Sequence, residues 1–283
     1  MIFYFNNCLI KFADRMKKTP VFSLLLLMPV LLLCFCDTDP GLEPTQSGFK
    51  GKITFKKQWP ENTDQVLVVA ATKFPPSNIS EIVLGDPLPL GIDSTEYIIY
   101  TPPADFAAVG VVWKEKDQPW DVTNIIGIYF PGADQFNPGS VTIPDKKTII
   151  DQINITADLS KARRAVNSAI KGKIRAYGAW PKGAATVLLA ASTSFPPDSL
   201  LNITFSSPIT AGFDSTTYAM SLQPGKYKMI GALVMVEGEP IGFSSLKGFY
   251  SVYNEALQNW IMKGVTIESD TAVLNNIDIR IVF

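Results

Sequence analysis

Hydrophobic positions along this chain come in short runs rich in Val and Ile, separated by Pro, Gly and Asp. Runs of this length with that punctuation predict β-strands joined by turns. The C-terminal segment from Ile277 to Phe283 alternates apolar and polar residues, which predicts a strand with one face buried. Two stretches, Val66 to Ala71 and Val187 to Ser192, are apolar at nearly every position, as expected of central strands covered on both faces. Past the N-terminal region, only Asn254 to Trp260 suggests a turn or two of helix. Several short strands at this spacing predict an all-β chain built from two-layer antiparallel β-sandwiches.

The pattern repeats. At a constant offset of 121 residues, Gly51-Lys52-Ile53 recurs as Gly172-Lys173-Ile174, and Trp59-Pro60 as Trp180-Pro181. Phe74-Pro75-Pro76 recurs as Phe195-Pro196-Pro197, and Asp93-Ser94-Thr95-Glu96-Tyr97 as Asp214-Ser215-Thr216-Thr217-Tyr218. Gly127 and Tyr129 meet Gly248 and Tyr250 without a gap, and roughly three positions in ten are identical over this span. After a three-residue insertion, Ile153-Asn154-Ile155 pairs with Ile277-Asp278-Ile279. A period this long means duplicated domains, since solenoid units run about 20–50 residues. Each copy is long enough to close its own core. The expected organisation is an export segment at 1–36, a polar tether at 37–48, one sandwich at 49–160 and a second at 161–283, with a short charged junction near Lys161 to Ser168.

The N-terminus reads as an address. Lys17-Lys18 precede an apolar run from Val21 to Leu33, too short for comfortable bilayer crossing and interrupted by Pro29. Residues 1–15 add nothing to this signal, so Met16 is read as the start. The apolar run ends in Cys34-Phe35-Cys36 before a polar stretch. This resembles a bacterial lipoprotein signal, in which a cysteine after the apolar run is acylated and becomes the mature N-terminus. Cys36 is the expected site, with Cys34 the alternative; Phe35 and Leu33 stand where that family prefers a small residue. The resemblance implies an exported protein tethered to the cell envelope by a lipid anchor.

A second resemblance rests on Leu222-Gln223-Pro224-Gly225-Lys226-Tyr227, which follows Tyr218 and precedes an apolar strand. This order is similar to carboxypeptidase regulatory-like and transthyretin-like modules, prealbumin-type or Ig-like antiparallel sandwiches whose tyrosine packs into the core. Copy 1 departs from it, with Thr101-Pro102-Pro103-Ala104-Asp105-Phe106 lacking the glycine. The resemblance implies a fold and no particular activity, because such modules serve as spacers, binders and enzyme appendages.

Composition narrows the chemistry. The 283 residues contain no His and only three Cys, all before residue 37. No Ser-His-Asp or Cys-His pair can therefore form, and the commonest zinc ligand is missing. We expect no catalytic residue, no metal and no cofactor. The acids Glu115 with Asp117 and Glu237 with Glu239 read as solvated loops. A net charge of −1 without a dense basic run disfavours nucleic acid. Asp93-Ser94-Thr95 and its repeat bring too few oxygens for calcium; they resemble an O-glycosylation acceptor pattern of bacterial envelope proteins, but read best as Asp-initiated turns.

Trp59 and Trp180, shared by both copies, are expected to close one end of each core. Trp113 and Trp120 occur only in copy 1, opposite Val234 and Ile241. Together with Tyr129 they are the candidate ligand contacts, able to stack on a sugar ring. The expected function is a non-catalytic binding or spacer module for a protein or glycan partner; the alternative is a carbohydrate-binding accessory to polysaccharide uptake.

Overall fold

A computed structural model describes residues 46–76, 78–239 and 241–283, apart from the side chain of Phe243. The apolar run, Cys34 and Cys36 lie outside the described residues, as does most of the tether. Residues Thr45–Phe283 belong to one compact unit. Among the described residues there is no α-helix; short 3-10 turns such as Ile79–Glu81 and Leu159–Lys161 are the only helical elements.

Copy 1 contributes β1 (Gly48–Lys56), β2 (Thr63–Ala71), β3 (Ile82–Pro87), β4 (Ser94–Tyr100), β5 (Ala104–Phe106), β6 (Ala108–Glu115), β7 (Ile125–Ile128), β8 (Val141–Ile143), β9 (Ile149–Ile150) and β10 (Ile155–Asp158). Copy 2 contributes β11 (Ala169–Tyr177), β12 (Ala184–Ser192), β13 (Ile203–Phe205), β14 (Ile209–Thr210), β15 (Ser215–Ser221), β16 (Gly225–Tyr227), β17 (Met229–Val236), β18 (Leu246–Asn254), β19 (Asn259–Met262), β20 (Val265–Ile267), β21 (Val273–Leu274) and β22 (Ile279–Val282).

In copy 1 one sheet has the order β10-β1-β4 and another β3-β2-β6-β7, with β5 and β8 paired separately. Alternate residues of both sheets, among them Phe49, Ile53, Val66, Val68, Tyr97, Val111 and Ile155, meet in one core. Copy 2 has its own core, from Ile170 and Ile174 through Leu189, Tyr218 and Val234 to Ile281. The two cores share no residue.

Three expectations are corrected. The sheets are not purely antiparallel: β1 runs parallel to β9 and β10, and β11 runs parallel to β21 and β22. Nor are the two halves of copy 2 separate sheets. Its β18 pairs with β22, joining the two halves into one curled ten-stranded sheet. Gly248 permits that seam, since a Cβ there would collide with the Arg280 carbonyl. The stretch Asn254 to Trp260 is likewise a hairpin turn and the start of β19, where Asn254 Oδ1 accepts from Leu257 N at 3.1 Å.

The repeated motifs have one geometric origin. Gly51 faces Tyr97 across β1 and β4, and Gly172 faces Tyr218 across β11 and β15. Each tyrosine hydroxyl donates to a carbonyl of the parallel partner chain, Ile153 O at 2.7 Å and Ile277 O at 2.6 Å. A Cβ at either glycine would strike that same carbonyl. The next residue's side chain completes the joint: Asn154 Oδ1 accepts from Lys52 N at 2.8 Å, and Asp278 Oδ1 from Lys173 N at 2.9 Å. The Phe-Pro bonds at 74–75 and 195–196 are both cis.

The run from Val187 to Ser192 is apolar on both faces because both are covered. Val187, Leu189 and Ala191 point into the core of copy 2, while Leu188 and Ala190 join Met229, Leu233 and Met235 in a second cluster on the opposite face. Ile203, Phe205 and Ile241 help to roof that cluster.

Candidate functional site

The loop between β6 and β7 and the junction between copies are tied together residue by residue. Asp121 Oδ1 accepts from Thr123 N at 2.8 Å and Thr123 Oγ1 at 2.7 Å, turning the loop back. Buried Asn124 then grips the junction at two points: Nδ2 donates to Arg163 O at 2.8 Å, and Oδ1 accepts from Arg163 N at 2.9 Å. Arg163 returns the contact by donating from Nη2 to Thr123 O and, at 3.1 Å, to Thr123 Oγ1. Glu115, read from sequence as a solvated acid, accepts from Asn62 through one oxygen and from Ala165 N through the other. On the far side Gln223 Nε2 donates to Arg164 O, Lys161 Nζ to Asn202 Oδ1, and Leu200 N to Gln135 O at 3.1 Å.

These ties leave a cleft between the copies with two lobes. One, about 600 Å³, mixes polar and aromatic groups and includes Gln118, Trp120, Asn124, Arg164 and Gln223. The other, about 260 Å³, is walled mainly by apolar groups, including Phe74, Pro75, Ile125, Leu188, Ile203 and Phe205. Thr123, Arg163, Phe205 and Gln223 line both. Burial pulls the Arg163 guanidinium below its ordinary pKa, and the nearby Asp121 charge opposes that shift.

Of the candidate ligand contacts, Trp120 stands at the polar lobe, 39% exposed. Trp113 also borders the polar lobe, but almost none of its surface is exposed. It is 1% exposed, sits in the core of copy 1 and donates from Nε1 to Thr63 Oγ1 at 2.9 Å. Its counterpart Val234 is equally buried in copy 2, so this difference between copies is a difference of core volume. Tyr129 is half-buried against the first core and lines neither lobe. Trp120 precedes β7 and Tyr129 follows it, and of the two Trp120 borders the cleft. Trp59 and Trp180 pack against their respective cores, and each indole donates to a backbone carbonyl at 3.1 Å, of Ile92 and of Phe213.

A second surface was not evident in the sequence. Beyond the sheet, β18 and β19 form a hairpin in which Tyr253 faces Trp260. Their rings lie 5.6 Å apart between centroids, and both are more than two-fifths exposed. Arg280 is sandwiched between rings, 4.4 Å from the Trp260 centroid and 4.7 Å from that of Tyr177. Val252, Leu257 and Ile261 add exposed apolar surface on the same hairpin. The available signal was local: an aromatic on each side of the polar turn Asn254 to Asn259. Among the described residues, no group of three or more acids or cysteines is placed to hold a metal ion.

No protein-family model matches the chain, and neither does any curated protein. Several solved structures show distant similarity. A leucine-rich repeat protein from Bacteroides thetaiotaomicron aligns with 81% of this chain at 10% identity and a TM-score of 0.30; the chain spans only 26% of that protein. A candidate cell adhesion protein from Bacteroides fragilis aligns over 82% of this chain and 91% of its own, at 11% identity and a TM-score of 0.21. A streptococcal ancillary pilin aligns over 86% of this chain and 68% of its own, at 11% identity and a TM-score of 0.18.

Proposed function

We propose that this protein is an exported cell-envelope module, held to the membrane by an acylated Cys36 and binding a protein or glycan partner without catalysis. The observation that carries the binding role is the exposed Tyr253–Trp260 pair with Arg280 stacked beside it. Tyr, Trp and Arg are the residue types that dominate binding energy at interfaces, because they bury large area and still offer a polar handle. Stacking on two rings also pre-orders the Arg280 side chain, which lowers the entropy lost on binding. The prealbumin-type reading of copy 2 is supported by Tyr227, which is buried and donates to Gln223 O at 3.0 Å.

The test combines Tyr253→Ala with Trp260→Ala in a chain that also carries Cys34→Ser and Cys36→Ser, so that no lipid anchor contributes, with circular dichroism to verify the fold. Retention on isolated envelope material should drop at least ten-fold; undiminished retention would overturn the assignment of this surface. Cys36→Ser should abolish acyl labelling and release the protein from membranes, and labelling that persists moves the anchor to Cys34.

A second reading, a carbohydrate-binding accessory, is favoured by Trp120 beside Gln118, Asn124 and Gln223 in the polar lobe. An indole face with hydrogen-bonding side chains around it suits a pyranose. Tryptophan fluorescence should respond to a panel of neutral glycans in the wild type and not in Trp120→Ala. A flat wild-type response across the panel removes this reading.

A further inference from the structure

We propose that the apolar lobe between the copies is a binding site for a small amphiphilic carboxylate, its apolar body inside the lobe and its head at Lys161 and Arg163. The inference stands apart from the partner surface on the β18–β19 hairpin. Its first support is a charge imbalance. Two cations line the lobe and no Asp or Glu does. Neither cation makes an ion pair, because the ion pairs of the described residues join Lys50, Lys73, Lys114, Arg164 and Arg175 to acids elsewhere.

Both cations also keep donors to spare. Arg163 engages its side chain only through Nη2, toward Thr123, which leaves Nη1 and Nε without a partner among the described residues. Lys161 makes a single contact, to Asn202. A part-buried guanidinium with Asp121 nearby but no direct ion pair keeps part of its desolvation cost, and an anion delivered there offsets that cost with charge-assisted hydrogen bonds. Asn124 fixes the Arg163 backbone at both its N–H and its C=O, so the cation is held in place before any ligand arrives.

The wall decides what accompanies the charge. Pro75, Ile125, Leu188, Ile203 and Phe205 make most of the wall apolar. A sugar would set many of its hydroxyls against this apolar wall, and a bare inorganic anion would leave it unfilled. A volume of about 260 Å³ lies just below the range of ~300–1,000 Å³ usual for small-molecule sites, so the body is short.

Isothermal titration of the full chain with octanoate, octan-1-ol and octylammonium, all below micellar concentration, tests the proposal. Octanoate should bind at least ten-fold more tightly than octanol, and octylammonium least. Arg163→Gln and Lys161→Gln should each bring octanoate toward the octanol value while leaving octanol unchanged. Leu201→Trp, which fills the lobe, should abolish both. Trp260→Ala should change none of these values, which separates this site from the hairpin surface. Equal affinity for octanoate and octanol, no binding of either, or binding confined to anionic phospholipid vesicles would overturn the proposal. Should Arg163→Gln not fold, Lys161→Gln and a fall in wild-type octanoate affinity with added salt carry the same decision.

Discussion

Tyr97 and Tyr218 show how a single hydroxyl can organise a strand junction. Each is buried, and each reaches across the space a glycine leaves open to bond a carbonyl on the parallel partner chain. Burial, more than any nearby charge, raises both phenol pKa values well above the ordinary 10; Tyr129 adds to the shift at Tyr97, and Asp278 at Tyr218. A group whose folded pKa is raised contributes stability that is complete below its unfolded pKa and declines as pH rises toward the folded one. Stability should therefore hold up to about pH 10 and then fall by about 1.4 kcal/mol per pH unit for each buried tyrosine. Urea midpoints at pH values on either side of 10 measure this. The double variant Tyr97→Phe/Tyr218→Phe should be less stable at neutral pH, by about 1 kcal/mol per lost hydrogen bond, and its alkaline slope should be shallower. An unchanged slope would show that these hydroxyls ionise as freely folded as unfolded.

Among elements, the β6–β7 loop and the β18–β19 hairpin differ in kind. The loop is structural: Asn124 spends both ends of its amide on the Arg163 backbone. Asn124→Ala should cost about 1–3 kcal/mol, because it strands a part-buried N–H and a part-buried carbonyl, and it should release Arg163 from its fixed position. The check is chemical denaturation together with hydrogen exchange at the Arg163 amide; a protected amide in the variant would contradict the clamp. The hairpin, by contrast, lies outside both principal cores and carries its aromatics in the open. Strand positions were legible wherever turn residues bracketed a Val- or Ile-rich run, as at Val66 to Ala71. The hairpin was not, since Asn254 to Trp260 has neither clear alternation nor a Gly turn. Trp113 shows a related limit: sequence shows that a tryptophan is present but not how deeply β6 is buried around it.

For the whole molecule, the duplication accounts for two cores but not for how they meet. The contacts of Asn124, Glu115, Gln223, Lys161 and Leu200 bind the copies into one compact unit. Urea unfolding of the wild type should therefore be a single cooperative transition. Removing two ties at once, in Asn124→Ala/Glu115→Ala, should separate it into two, one for each core. A single transition in the double variant would mean that apolar packing across the cleft holds the copies together without these bonds.

The amino-acid order alone determined that the described part of the molecule is all-β, that one pattern recurs at a fixed offset, and that imidazole and thiol chemistry is closed to that part. These follow from local rules: turn residues, alternation of period two, and self-matching at one offset. Tertiary structure decided the rest. Strand direction at β1 and β11, the seam between β18 and β22, the cation-lined lobe and the Arg280 stack all bring together residues far apart in the chain. Their pairing depends on packing geometry, which no local pattern encodes.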